Sequence, residues 1–437
     1  MPSASDTAYP HLKANPSAKE LDEIYTPTAH ELDFAQRRTR QPLQLAGLLL
    51  LLKTFQRLGY FVRCAEIPAP IVRHVLQCAS LLGLPEQMDV YDASTARDRH
   101  TALVREFLRV TAYGSDAKRV IIEVCFQAAH TRDDLPDIIN MAIEELIRQR
   151  FELPAFSTLL RIARTARNTV NRRYQSRFCE SLSEAARQRL LIITSRINGE
   201  SRSLWERIKH EPKQSTAPQM KDFLDHLRWL QQQDVAADAF AEIPEAKIRQ
   251  FAAEARSLDL SSLNDMPERK RLTLVAALIL KQVARALDDS TEMFIRQVKK
   301  MHNKAEEALV NYRLAHAEQT DALIATLRDI ASAYKSDGSR EQRMSMIEAL
   351  LEKNADEILA QCVAHNAVAE NNYLPFLPRY YSDRRRTLFL FLETVPLVST
   401  TQDRVLTDAM AFLLRHKETR DKWLEISHES SNKDGPN

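Results

Sequence analysis

The residues of this chain that could do chemistry are mostly cations. Between Glu152 and Glu180 there is no acidic residue, yet Arg161, Arg164, Arg167, Arg172, Arg173 and Arg177 all fall there. At about 100° per residue, Arg161, Arg164 and Arg172 lie within about 80° of one another, and Ala163, Ala166, Val170 and Tyr174 lie on another face. A solvated helix ordinarily mixes both charge signs on its exposed side, so an acid-free basic stripe points to a polyanion; an ordinary surface helix is the alternative. A second cluster, Gln36-Arg37-Arg38-Thr39-Arg40-Gln41, stands at a helix end. Arg, Thr and Gln contact phosphates and base edges, and equally, cations at a helix C-terminus answer its dipole. A third, Thr95–Thr101, places Arg97, Arg99 and His100 at the start of a helix, where positive charge opposes the dipole and a purely structural role is disfavoured. A fourth, Arg384-Arg385-Arg386, reads as solvated.

Constellations for bond breaking are absent from the sequence. His74 and Cys78 are spaced i,i+4 and Cys362 and His365 i,i+3, so each pair could share a helix face, but neither has further donors nearby. A metal site needs such donors to converge, so neither metal nor cofactor is expected. No phosphate loop, nucleophile elbow or zinc-protease motif occurs. The acid pairs Glu144/Glu145 and Glu306/Glu307 fall on charged helix faces and read as solvated.

The elements that must position these residues are helical. Of 437 residues only 7 are Gly, which argues against a Gly-loop nucleotide enzyme, a sandwich or a barrel. The fold class expected is all-α: several small helical modules followed by a longer helical linker or dimerisation region. Lys and Arg number 61 against 59 acids, and Arg outnumbers Lys by 43 to 18. That excess favours forked contacts to phosphate or carboxylate, although a GC-rich genome yields the same bias. Five scattered cysteines, no CxxC and no signal peptide suit a reducing cytoplasm. The most apolar run, Leu45–Leu52, is far short of the roughly 20 residues that span a bilayer.

Along the chain, the proline-rich first thirty residues read as an extended arm with a short helix near Lys19–Ile24. A helix from about Thr28 ends in the Arg37–Arg40 cluster. Pro42 opens the next, with Leu45, Leu48, Leu49, Leu52 and Phe55 as its apolar stripe and Gly59 as its end. A third helix, about Ile71–Leu82, is closed by Gly83 and Pro85. Leu103, Phe107 and Leu108 mark another; Val120–Ala129 and Leu135–Arg150 flank a break at His130–Pro136, and the basic helix follows. Residues 268–334 are almost free of breakers, with Asp288–Ser290 as a candidate division into two helices. Ser427–Asn437 reads as a disordered end. Three segments result: 1–84, an arm and first helical module; 85–180, a second module with the basic helix; and 181–437, a helical linker or dimerisation region with its tail.

Several ordered stretches then resemble a known family. They are Leu43–Leu48, Arg57-Leu58-Gly59-Tyr60-Phe61, Ile67-Pro68-Ala69-Pro70-Ile71-Val72, and Tyr91, Thr95, Arg97 and Arg99-His100. Tyr113-Gly114, Leu153–Leu159, Arg269-Lys270-Arg271, Leu274–Leu278, Asp288-Asp289 and Glu292-Met293-Phe294 continue the order. Together they resemble the N-terminal half of transposases of class II replicative transposons, the Tn-three family. The resemblance implies sequence-specific binding of duplex DNA at transposon terminal inverted repeats by N-terminal helical domains. It also implies a dimer that pairs two ends, either a homodimer or a partnership with a full-length transposase, and no membrane. In the family the nicking and joining are done by an Asp-Asp-Glu core holding Mg²⁺. That core is expected to lie C-terminal to the matched region, so catalysis is not carried over. One departure is Gln41-Pro42, where the family pattern usually places Arg or Asn.

The DNA contacts expected are accordingly Arg37, Arg38, Arg40, Arg97, Arg99, His100, Arg161, Arg164, Arg172 and Arg173. The alternative is a non-catalytic helical scaffold or regulator that dimerises through residues 268–334, one form of which would inhibit the full-length transposase by occupying its DNA ends.

Overall fold

The computed structural model describes residues 2–81, 88–195, 203–212, 214–235, 237–352 and 354–419. The helix stop expected at Gly83 and Pro85 and the disordered end expected at Ser427–Asn437 lie outside the described residues. The described residues are all-α: they hold no β-strand, only an isolated parallel bridge between Thr111 and Phe151. The helices of ten or more residues are α1 (Ala29–Arg38), α2 (Pro42–Leu58), α3 (Ala69–Cys78), α4 (Thr95–Leu108), α5 (Ser115–Ala129), α6 (Leu135–Arg148), α7 (Phe156–Ser181) and α8 (Glu184–Ile193). They continue as α9 (Ala217–Gln231), α10 (Glu245–Ser257), α11 (Glu268–Ala315), α12 (Ala317–Lys335), α13 (Arg340–Leu351), α14 (Ala355–Ala367), α15 (Arg385–Thr394) and α16 (Val405–Arg415).

Two compact units emerge, each discontinuous in sequence. The first joins Met1–Thr194 to Ala236–Leu278, and the second joins Ser195–Val235 to Ile279–Asn437.

The first unit is built around α2. Pro42 begins this helix, where a missing N–H costs nothing, and Gly59 ends it at φ 72° with its N–H bonded to the Phe55 carbonyl at 2.7 Å. The stripe expected from periodicity understates its burial, because Leu50 and Leu51 are as deeply buried as Leu48, Leu49 and Leu52. Such a helix is surrounded rather than surface-lying. The α1, α3 and α4 helices and the short Met88–Asp92 helix pack on it. The α1 helix starts in a capping box, Thr28 with Glu31. Glu31 and Lys53 of α2 are both buried and paired at 3.3 Å.

The N-terminal arm is less extended than its prolines suggest. Tyr9 is buried, stacks on Tyr60 with ring centroids 5.1 Å apart, and donates to the Pro154 carbonyl at 2.9 Å. Next along the chain, α5, α6 and α7 form a three-helix bundle. Its core is Ile121, Cys125, Ile138, Ile139, Ile143, Leu159, Ala163, Ala166 and Val170, all buried.

In the second unit, α9 packs on α15, and Phe294 of α11 stacks on Phe391 at 4.2 Å. The α11 helix runs unbroken through Asp288–Ser290, where sequence suggested a division. Ser290 is fully buried there, and Thr291 returns its hydroxyl to the Leu287 carbonyl at 2.8 Å. Bonding of that kind lets a hydroxyl residue sit inside a helix. Burial of Ala286, Ser290, Met293, Gln297 and Met301 along one side outweighs the weak local preference for a turn.

Candidate nucleic-acid interface

The α7 helix is held by its apolar face. Tyr174 is buried and its hydroxyl meets His130 Nδ1 at 2.6 Å, while Phe178 packs on Phe240 with centroids 4.5 Å apart. A buried lysine locks the same side. Lys247 of α10, fully enclosed, donates from Nζ to Asp133 Oδ1 at 2.8 Å, to Asn171 Oδ1 at 2.9 Å and to the Arg132 carbonyl at 2.9 Å. Burial disfavours its charge and pushes its pKa down, yet three acceptors surround the ammonium. These anchors fix which side of α7 faces out.

Along that outer side, Arg161, Arg172 and Arg173 are exposed, and no carboxylate among the described residues pairs with any of them. Arg164 is half-buried and engaged. The remaining arginines are drawn into the fold by groups distant in sequence. Arg167 donates to the Asp133 carbonyl at 3.3 Å, and Arg177 pairs with Glu242 at 2.7 Å. The helix contains no acid between its ends, but the fold partly neutralises it from outside.

The other basic clusters divide in the same way. Arg37 pairs with Asp33 at 2.9 Å but stays mostly exposed, and Arg38 and Arg40 are exposed around the C-terminus of α1. On α4, Arg99 is exposed. Arg97 instead bonds Asp92 at 3.2 Å and the Val62 carbonyl at 3.2 Å, and Asp92 also accepts from the Cys64 and Ala65 amides at 3.0 Å. His100 is 1% exposed, with Nδ1 2.8 Å from the Tyr91 hydroxyl. Desolvation lowers its pKa to about 4, with the Arg99 charge adding to the shift, so the ring is neutral near pH 7. In this arrangement Arg97 and His100 face the protein interior. Arg384, from the fourth cluster, is turned inward too, donating to Gln297 Oε1 at 3.1 Å.

Beside α7 lies an open cavity of about 360 Å³, within the first unit, lined by Asn168, Arg172 and Gln175 of α7 and by Arg269 and Lys270 at the start of α11, among others. Gln175 and Arg269 are absent from the contacts expected from sequence. Spacing alone places Asn168, Arg172 and Gln175 on one face of α7, but nothing local brings Arg269 there.

The resemblance also implies Mg²⁺ in its catalytic core. Among the described residues no three His, Cys, Asp or Glu side chains converge, and these residues do not fit such an ion. None of the described helices is long and apolar enough to cross a membrane.

Comparison with known proteins agrees with the resemblance. Residues 1–166 match the family model described as "Domain of unknown function (DUF4158)". The chain is 23% identical over 308 residues to the transposase for transposon gamma-delta of Escherichia coli (strain K12), covering 67% of this chain and 30% of that protein. It is 21% identical over 291 residues to the transposase for transposon Tn501 of Pseudomonas aeruginosa, 66% of this chain and 29% of that one. Over 404 residues it is 20% identical to the transposase for transposon Tn1546 of Enterococcus faecium, 90% of this chain and 40% of that protein. The chain spans less than half the length of each of these relatives. Its likeness to Tn-three-family transposases is thus borne out across two thirds or so of its residues.

Proposed function

We propose that this chain binds duplex DNA at transposon ends, in a transposition reaction whose chemistry belongs to an Asp-Asp-Glu core not found among the residues described. The observation that carries the reading is the outer side of α7, where Arg161, Arg172 and Arg173 stand exposed, without carboxylate partners among the described residues, on a helix locked in place by its opposite face. The similarity to transposases supplies the kind of polyanion. Arg37, Arg38, Arg40 and Arg99 supply further exposed charge in the same unit. Arginine suits this role because its planar fork meets two phosphate oxygens at once. Backbone contacts of this kind position a protein on DNA, while helices in the major groove read the sequence.

The test is fluorescence anisotropy over a salt series, comparing a duplex from the ends of the host transposon with a scrambled duplex of equal length. Neutralising about six phosphates gives a slope of log affinity against log salt near −5. The expected result is that slope together with tighter binding to the end sequence. Replacing Arg161, Arg172 and Arg173 together by Ala should weaken binding to both duplexes and flatten the slope. An unchanged slope would remove α7 from the interface.

A second reading, contact with another protein chain, is favoured by exposed apolar residues in the second unit, Leu314 (72%), Ile324 (61%) and Leu327 (67%) among them. It is compatible with the first: a dimer of cytoplasmic chains holding two DNA ends uses both surfaces.

A further inference from the structure

We propose that the cavity between α7 and the first turn of α11 is a built site for a single phosphodiester group of the DNA backbone. It rests on the DNA-binding reading and assigns one contact within it. Eight of the nine residues that line the cavity, all but Pro267, carry a polar or charged side chain. Here Arg172, Arg269 and Lys270 converge with the amides of Asn168 and Gln175. One carboxylate, Glu254, shares the lining and is taken by Lys270 at 2.6 Å. Arg269 has only a neutral partner, the Ser176 hydroxyl at 3.2 Å, and Arg172 has no partner among the described residues.

Two features suit the cavity to an anion. Gln175 is only 8% exposed, lines the cavity, and its amide has no hydrogen-bond partner among the described residues. Its amide atoms stay open to solvent through the cavity, so the group is free to donate to a ligand there. In addition, Arg269 and Lys270 stand in the first turn of a long helix, where positive charge opposes the dipole. Glu268, the acid that would answer that dipole, is engaged by Arg187. Water would satisfy the Gln175 amide, but it would not balance the cations Arg172 and Arg269 facing one cavity. A phosphodiester does both: its two free oxygens accept from guanidinium and amide N–H groups, and its charge offsets the cations. The open form of the cavity admits a phosphate that remains joined to its strand.

The test uses the full chain with Arg172→Gln, Arg269→Gln, the double variant and Gln175→Leu, measured by anisotropy on one mixed-sequence duplex over a salt series. If both arginines share one phosphate, each single variant lowers the salt slope by about 0.9. The double variant then loses scarcely more than either single, because coupled groups are non-additive. Additive losses in the double variant would mean two separate backbone contacts and overturn the single site. Gln175→Leu keeps the side chain's bulk and should leave the unfolding temperature near that of wild type, while its DNA affinity falls severalfold. Undiminished affinity in that variant would overturn the role of the amide. Wild-type binding with a steep slope, unaltered in either arginine variant, would sink the cavity site and leave the DNA-binding reading standing. A wild-type chain that bound no duplex would sink both.

Discussion

Arg97 and Arg99 stand two positions apart on α4, yet their surroundings give them opposite fates. Arg97 is held by Asp92, whose side chain is 2% exposed and also accepts two backbone N–H groups, so this arginine stabilises a turn between Cys64 and the start of α4. Arg99 projects outward. Replacing Arg97 by Ala should therefore cost about 1–3 kcal/mol in urea denaturation, because it leaves a buried carboxylate without its cation, and it should leave the DNA salt slope alone. Arg99→Ala should do the reverse, flattening the slope with no loss of stability. Gly47 belongs to the same neighbourhood. A Cβ there would collide with the Tyr91 ring, so Gly47→Ala should displace the tyrosine, break its bond to His100 and cost about 1–3 kcal/mol. The histidines add a pH dependence. His100 and His226 each have a folded pKa of about 4, lowered first by burial and then by neighbouring positive charge, against about 6.5 in an unfolded chain. Both are therefore neutral in the fold, and between those values the unfolded chain binds more protons. Stability is fully present above about pH 6.5 and falls as pH drops towards 4. His226→Phe should flatten the fall in urea midpoint between pH 7 and 5; a midpoint that did not move in wild type would refute the shifted values.

Among the elements, α1 and α2 are joined by the buried pair of Glu31 and Lys53. Burial alone would raise the Glu31 pKa, but hydrogen bonds from the Thr28 amide and Gln56, with the Lys53 charge, bring it below its ordinary value. Lys53→Met removes the cation and should cost about 3 kcal/mol or more. The double variant Glu31→Gln, Lys53→Met should recover much of that loss, as measured by a double-mutant cycle in urea; additive losses would show that the pair is not coupled. Sequence reading marks the start of α1 near Thr28 but not this pairing, since Lys53 follows the apolar run Leu45–Leu52 and reads there only as that run's end. The same distinction runs through the molecule. Helix starts and stops at Thr28, Pro42 and Gly59 are local chemistry and were legible. So was the division of α7 into apolar and basic faces, because helical periodicity encodes it. The burial of His100, the neutralisation of Arg177 by Glu242 and the meeting of Gln175 with Arg269 depend on residues far apart in the chain, and no spacing rule contains them. The unbroken course of α11 through Asp288–Ser290 was hidden for a related reason: local preference suggests a turn, and tertiary burial of Ser290 overrides it.

For the whole molecule, a net charge of +2 from 61 cations and 59 acids would suggest little affinity for a polyanion. What matters is where the charges stand, since binding responds to the local field of a face rather than to the sum. The exposed arginines of α7 that have no carboxylate partner among the described residues belong to the first unit, whereas large exposed apolar side chains crowd the second, at Leu314, Ile324, Leu327, Leu359 and Val363. An apolar surface of that kind marks a contact with another macromolecule when it is contiguous. Ile324 and Leu327 are three positions apart on α12 and so share a face, which makes them the place to intervene. If a second copy of the chain covers that face, light scattering after gel filtration should give twice the monomer mass. Ile324→Lys with Leu327→Lys should then return the monomer with its thermal midpoint unchanged. The variant should still bind one duplex with the wild-type salt slope, because the arginines of α7 are untouched, but it should lose the slower-migrating complex in which two duplexes are held together. Loss of DNA binding along with dimerisation would show instead that the dimer itself builds the DNA surface. A wild-type chain that stayed monomeric at every concentration would assign the apolar face to some other chain.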